Sequence, residues 1–102
     1  MLNIKKTKKE LFISSGERLI INTVEKDTSL LKDAVSSFKG KSVEISFKDL
    51  KNIDTTYVQL FLSLITTLKR RSIPIHFLHI SDKVTEIFDI YGISIEQLIG
   101  DQ

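Results

Sequence analysis

Val43, Ile45 and Phe47 alternate with Glu44 and Ser46, the period of a strand with one buried face. After a short polar loop the spacing turns helical, and Asp54-Thr55-Thr56 stands at the change, the side-chain chemistry that free N–H groups at a helix start select. Asp54 or Thr55 is the N-cap; with Asp54 there, Ile53 and Val58 take the positions of a hydrophobic staple. At about 100° per residue, positions 55–70 separate into two faces. Tyr57, Leu60, Phe61, Leu64, Ile65 and Leu68 fall on the side that packs on a sheet, while Thr55, Gln59, Ser63, Thr66 and Arg70 form a polar stripe. Leu62 lies at the edge of that stripe, badly placed for burial, and is a candidate anchor for a partner protein.

The same reading extends in both directions. Residues 11–13 and 19–24 are apolar and separated by Ser14-Ser15-Gly16-Glu17, which predicts a hairpin of the first two strands. Leu30, Leu31, Ala34, Val35 and Phe38 predict a helix begun by Asp27 or Thr28 and closed by Gly40 in a left-handed conformation. Arg70, Arg71 and Ser72 end the central helix with positive charge at its negative pole, and Pro74 stops it. Residues 75–80 read as a strand covered on both faces, adjacent and parallel to 43–47 at the centre of the sheet. Ser81 or Asp82 caps a third helix carrying Val84, Ile87, Phe88 and Tyr91, with Gly92 as its stop. A tail over 93–99, with Ile95, Leu98 and Ile99, is expected to be a short helix or a strand. The resulting order is that of an α/β domain, two-layered or sandwiched, with a mixed sheet of about four strands and helices packed on it.

Composition narrows the function. At 102 residues the chain reads as one domain over 11–102, preceded at 1–10 by a basic tail or the start of a first strand, with no room for a catalytic domain beside it. The absence of cysteine excludes disulfides, a thiol nucleophile and Cys-ligated metal, and fits a cytoplasmic setting. A net charge of +2, with bases and acids interspersed, argues against a nucleic-acid partner. Lys5, Lys6, Lys8 and Lys9 make the one dense cluster and read as a solvated tail. No apolar run has the length of a membrane span, and no signal segment precedes the domain, so direct membrane insertion is not expected.

Chemistry-bearing groupings are scarce. The four glycines are scattered, no Ser, His and acid fall into a nucleophile arrangement, and no carboxylates are spaced for acid–base work. Ser14 and Ser15 read as loop residues. His76 and His79 are an odd number of positions apart, which in a strand puts them on opposite faces and excludes a two-His metal pair. The expectation is a non-enzyme with no cofactor and no metal.

Strand, loop, Asp54-Thr55-Thr56-Tyr57 and amphipathic helix together resemble the centre of the STAS domain family of anti-sigma factor antagonists and related transporter-associated proteins, where the motif is Asp, two hydroxyl residues and Gly. Leu-Lys-Arg-Arg-Ser-Ile-Pro-Ile-His-Phe from Leu68, and Ser-Asp-Lys-Val-Thr-Glu-Ile-Phe-Asp-Ile-Tyr-Gly-Ile from Ser81, are similar to the family's next helix end, strand and last principal helix. The resemblance covers about residues 11–93. It implies the fold, a protein partner such as an anti-sigma factor with serine kinase activity, and phosphorylation at the first hydroxyl after the Asp, here Thr55. This chain departs from the pattern with Thr for the frequent Ser and with Tyr57 for Gly. Asp54-Thr55-x-x-x-Gln59-Leu60 also resembles small members attached to phospholipid-transport ABC ATPases or to chemotaxis pathways. The expected partner surface is Asp54, Thr55, Thr56, Gln59, Leu62, Ser63 and Arg70.

Overall fold

In the computed structural model, which describes residues 2–94, four strands form one sheet: β1 (Asn3–Lys6), β2 (Glu10–Ser14), β4 (Ser42–Ser46) and β6 (Ile75–Leu78), in the order β1-β2-β4-β6. β1 is antiparallel to β2, and the other neighbours are parallel. A separate two-residue parallel pair joins β3 (Arg18–Leu19) to β5 (Asn52–Ile53). The helices are α1 (Ile21–Ser37), α2 (Thr55–Arg70) and α3 (Asp82–Ile90).

Alternation decides how the layers stack. In β2 and β4 every second residue is buried, Leu11 and Ile13 beside Val43 and Ile45, and the residues between them are half-buried. Only one face of the sheet is therefore sealed by helices, and the domain has two layers rather than a sandwich. Phe47, just past β4, gathers the layers: its ring meets Phe61 of α2 and Phe88 of α3 edge-on at 5.5 and 5.4 Å and stacks on Phe77 of β6 at 6.1 Å.

α2 begins and ends where its spacing predicts, and Tyr57, Phe61, Leu64, Ile65 and Leu68 are buried, joined by Val58. Leu60, at the flank of that face, is half-buried. Ile53 and Val58, the staple positions, are both buried. α3 starts after Ser81, whose hydroxyl accepts from the Val84 N–H at 3.2 Å, and the chain leaves it through Gly92 at φ 75°.

Several expectations are corrected. The hairpin is β1–β2, not 11–13 with 19–24. Its turn is tied by Thr7, whose N–H donates to the Glu10 carbonyl at 2.9 Å and whose hydroxyl accepts from the Glu10 N–H at 3.0 Å. Lys5 and Lys6 thus belong to a strand rather than a tail, and Lys6 Nζ lies 2.5 Å from the Ser37 hydroxyl. Residues 14–17 do not reverse the chain, because the Ser15 N–H donates to the Ser46 carbonyl at 2.9 Å and prolongs the parallel ladder with β4. Residues 21–24 are helix, so α1 starts six residues before Asp27.

Gly40 is not a left-handed cap either; α1 ends at Phe38, and a Cβ on Gly40 would stand 2.5 Å from the Lys9 carbonyl oxygen and from the Phe38 ring. That close approach of loop to hairpin is what requires glycine here. β6 is parallel to β4 as expected, but it is the edge of the sheet, not its centre, and Leu78 is 39% exposed. The strand stops at Leu78 and His79 turns away at φ 58°, so the alternation argument does not reach His79. Most of the 93–99 tail lies outside the described residues.

Candidate functional site

Asp54 has the extended backbone of an N-cap, φ −85° and ψ 154°, and its carbonyl accepts from the N–H groups of Tyr57 and Val58 at 3.0 and 3.2 Å. Its carboxylate makes no cap hydrogen bond, and no acidic residue occupies the first turn of α2. The Asp54 N–H donates to the Leu19 carbonyl at 2.8 Å, and Leu19 pairs with Ile53, which sets the start of α2 beside the start of α1. α1 is equally bare: its N-cap is Ile20, with no side-chain cap and no acid in the first turn. Two helix N-termini whose N-cap side chains make no cap hydrogen bond thus lie next to each other, and each dipole favours negative charge.

The predicted surface residues fall around this point. Thr55, Gln59, Ser63 and Arg70 are exposed on one side of α2, and Leu62 is 38% exposed beside them. Asp54 and Thr56 are half-buried, and the Thr56 hydroxyl is a buried atom without a hydrogen-bond partner. α2 itself contains no acidic residue, so beyond the Asp54 N-cap its face is uncharged until Lys69 and Arg70 in its last turn make it basic.

Three features escaped the sequence reading. Ile20 is 38% exposed next to the bare helix starts; inside an apolar run it carried no mark of a surface residue. Tyr91, read as an apolar face residue, sends its phenol to the Ile53 carbonyl at 2.8 Å and so braces the link into Asp54. Asp27, read as a cap, is fully buried. Its Oδ2 accepts from the Tyr57 phenol at 2.5 Å and from the Leu2 N–H at 2.9 Å, while Oδ1 has no partner. Burial, and then the hydrogen bond to Asp27, raise the Tyr57 phenol from 10.0 to about 12. No signal in a single sequence pairs these two residues, which are 30 positions apart.

Among the described residues, no three His, Asp or Glu side chains gather as a metal site, and no helix is long and apolar enough to cross a membrane. What the fold presents at α2 is a helix start carrying an exposed hydroxyl, on a two-layer domain with a mixed sheet. The chain belongs to the STAS domain family, whose model matches residues 2–100. The anti-sigma factor antagonist SpoIIAA in its unphosphorylated form has a similar fold, with TM-score 0.74 and 18% identity over 99% of this chain and 95% of that one. A serine-to-glutamate variant of RsbS from Moorella thermoacetica gives 0.77 and 15% over 93% and 80%. An anti-sigma factor antagonist STAS domain from Rhodobacter sphaeroides gives 0.59 and 14% over 85% and 92%. Comparison with curated protein sequences gives no match.

Proposed function

We propose that this chain is a non-catalytic, cytoplasmic regulatory module that binds a protein partner through α2, and that phosphorylation of Thr55 switches the binding, as in an anti-sigma factor antagonist. The observation that carries this reading is the exposed Thr55 hydroxyl at the first position of a helix whose first turn, after the Asp54 N-cap, holds no acidic side chain and whose neighbour α1 has none in its first turn either. A phosphate there adds about −1.5 to −2 charges where two helix dipoles favour an anion, so the helix keeps its shape. The charge instead changes what a partner meets. Beyond Asp54 the unmodified face of α2 is neutral to basic and displays Leu62, which suits an acidic or apolar partner patch, and phosphorylation repels that patch.

The test is recovery of the native partner from its source with tagged wild type, Thr55→Ala and Thr55→Asp. Thr55→Ala is expected to hold the partner and Thr55→Asp to release it. Equal recovery by all three removes Thr55 from the interface. Recovery of a phospholipid-transport ATPase, equally by all forms, assigns the chain instead to the constitutive subunits that the Asp-Thr-x-x-x-Gln-Leu pattern resembles.

A further inference from the structure

Asp27 has no exposed surface, and among the described residues the hydrogen bonds to its carboxylate come from two distant parts of the chain. One donor is the N–H of Leu2, immediately before β1; the other is the phenol of Tyr57, two residues beyond Thr55 in the first turn of α2. Both reach the same oxygen, and the second oxygen is buried without a partner, so neither donor has a substitute. The phenol also lies 2.6 Å from the Thr23 hydroxyl, in the first turn of α1. Removing one donor from a buried carboxylate leaves charge that the interior solvates poorly, and the remaining contacts must shift to compensate.

We propose that Asp27 and Tyr57 are positioning residues for the Thr55 surface, holding the first turn of α2 to the docked start of β1 so that release of Leu2 loosens the turn that presents Thr55. The proposal rests on the reading of α2 as the partner surface. Its direction follows from the buried carboxylate, which loses part of its solvation with the Leu2 N–H and must shift its remaining contact to Tyr57, and the coupling is reciprocal. A purely structural role predicts something else, since general destabilisation lowers the protection of all of α2 together.

Native-state amide exchange of the full chain separates the two. Leu2→Pro deletes the N–H donor, and Leu2→Ala removes most of the same side chain while keeping that N–H. The Tyr57 and Val58 amides, which donate to the Asp54 carbonyl, are expected to exchange about ten-fold faster in Leu2→Pro than in Leu2→Ala, with Leu64 and Leu68 alike in both. In a Tyr57→Phe background the gap between the two Leu2 variants is expected to shrink below about two-fold. Equal exchange at Tyr57 and Val58 in the two Leu2 variants overturns the proposal, and so does a gap that persists in Tyr57→Phe. Should Leu2→Pro not fold, Asp27→Asn decides: exchange about ten-fold faster at Tyr57 and Val58, with Leu64 and Leu68 unchanged, supports positioning, and unchanged or uniformly faster exchange overturns it. None of these measurements needs the partner, so their failure removes the coupling while the recovery experiment still judges the surface.

Discussion

Tyr91 reaches from the C-terminal cap of α3 to the carbonyl of Ile53, 38 residues earlier, and closes a 2.8 Å hydrogen bond one residue before the N-cap of α2. The helix start is therefore braced from outside its own helix. Tyr91→Phe keeps the ring and deletes the donor. It is expected to cost about 0.5–1.5 kcal/mol in urea unfolding, the usual net worth of one such bond. A cost indistinguishable from zero means that water serves the Ile53 carbonyl as well as the phenol does.

Arg71 makes the matching tie at the other end of α2. Its guanidinium donates to the Val35 and Phe38 carbonyls at 2.6 and 2.5 Å, so it serves the C-terminus of α1 rather than its own helix. Two divergent donors fit two carbonyls, and a lysine offers one point charge in their place. Arg71→Lys is expected to cost about 1–2 kcal/mol, with earlier exchange of the last-turn amides of α1. Equal stability of the two forms contradicts the bidentate role.

Phe61 and Leu62 are adjacent in sequence and opposite in fate, 2% and 38% exposed. Phe61→Ala opens a cavity against Phe47 and is expected to cost about 3–5 kcal/mol in chemical denaturation. Leu62→Asp is expected to change stability by less than about 1 kcal/mol while weakening recovery of the partner. If Leu62→Asp unfolds the domain instead, the solvent face of α2 has been assigned to the wrong side.

The Tyr57 phenol gives a pH signature. Its folded value of about 12 lies above the ordinary 10.0. From about 10 to 12 the unfolded chain loses this proton and the folded one keeps it, so the unfolded state binds fewer protons and stability falls as pH rises, by up to about 1.4 kcal/mol per unit. The contribution is complete below pH 10 and gone above 12. Tyr57→Phe is expected to flatten that part of a stability–pH profile relative to wild type; parallel profiles show that the phenol ionises as freely folded as unfolded.

How much of this was legible depended on which residues occupied core positions. The bounds of α2 were legible because its buried positions are hydrophobic and its ends carry cap and stop chemistry. α1 lost its first six residues because Asp27 sits on the buried stripe between Val24 and Leu31, and a carboxylate there reads as a helix start rather than as core. The apolar 19–24 run then passed for a strand. β1 was obscured by Lys5 and Lys6, which suit an edge strand as well as they suit a tail. At the candidate site, the exposed residues of α2 followed from the wheel, whereas Ile20, the Tyr91 brace and the Asp27 contacts depend on chain crossings that no local pattern records.

Because Phe47 touches Phe61, Phe77 and Phe88 at once, α2 and α3 turn on a common bearing at the end of β4. Close-packed rings leave no slack for one helix to roll while the other stays in place. A torque applied to α2 from outside is therefore delivered to α3 and to the free edge of the sheet. α1, outside this aromatic bearing, is tied to α2 by hydrogen bonds near both ends, through Tyr57 and Arg71.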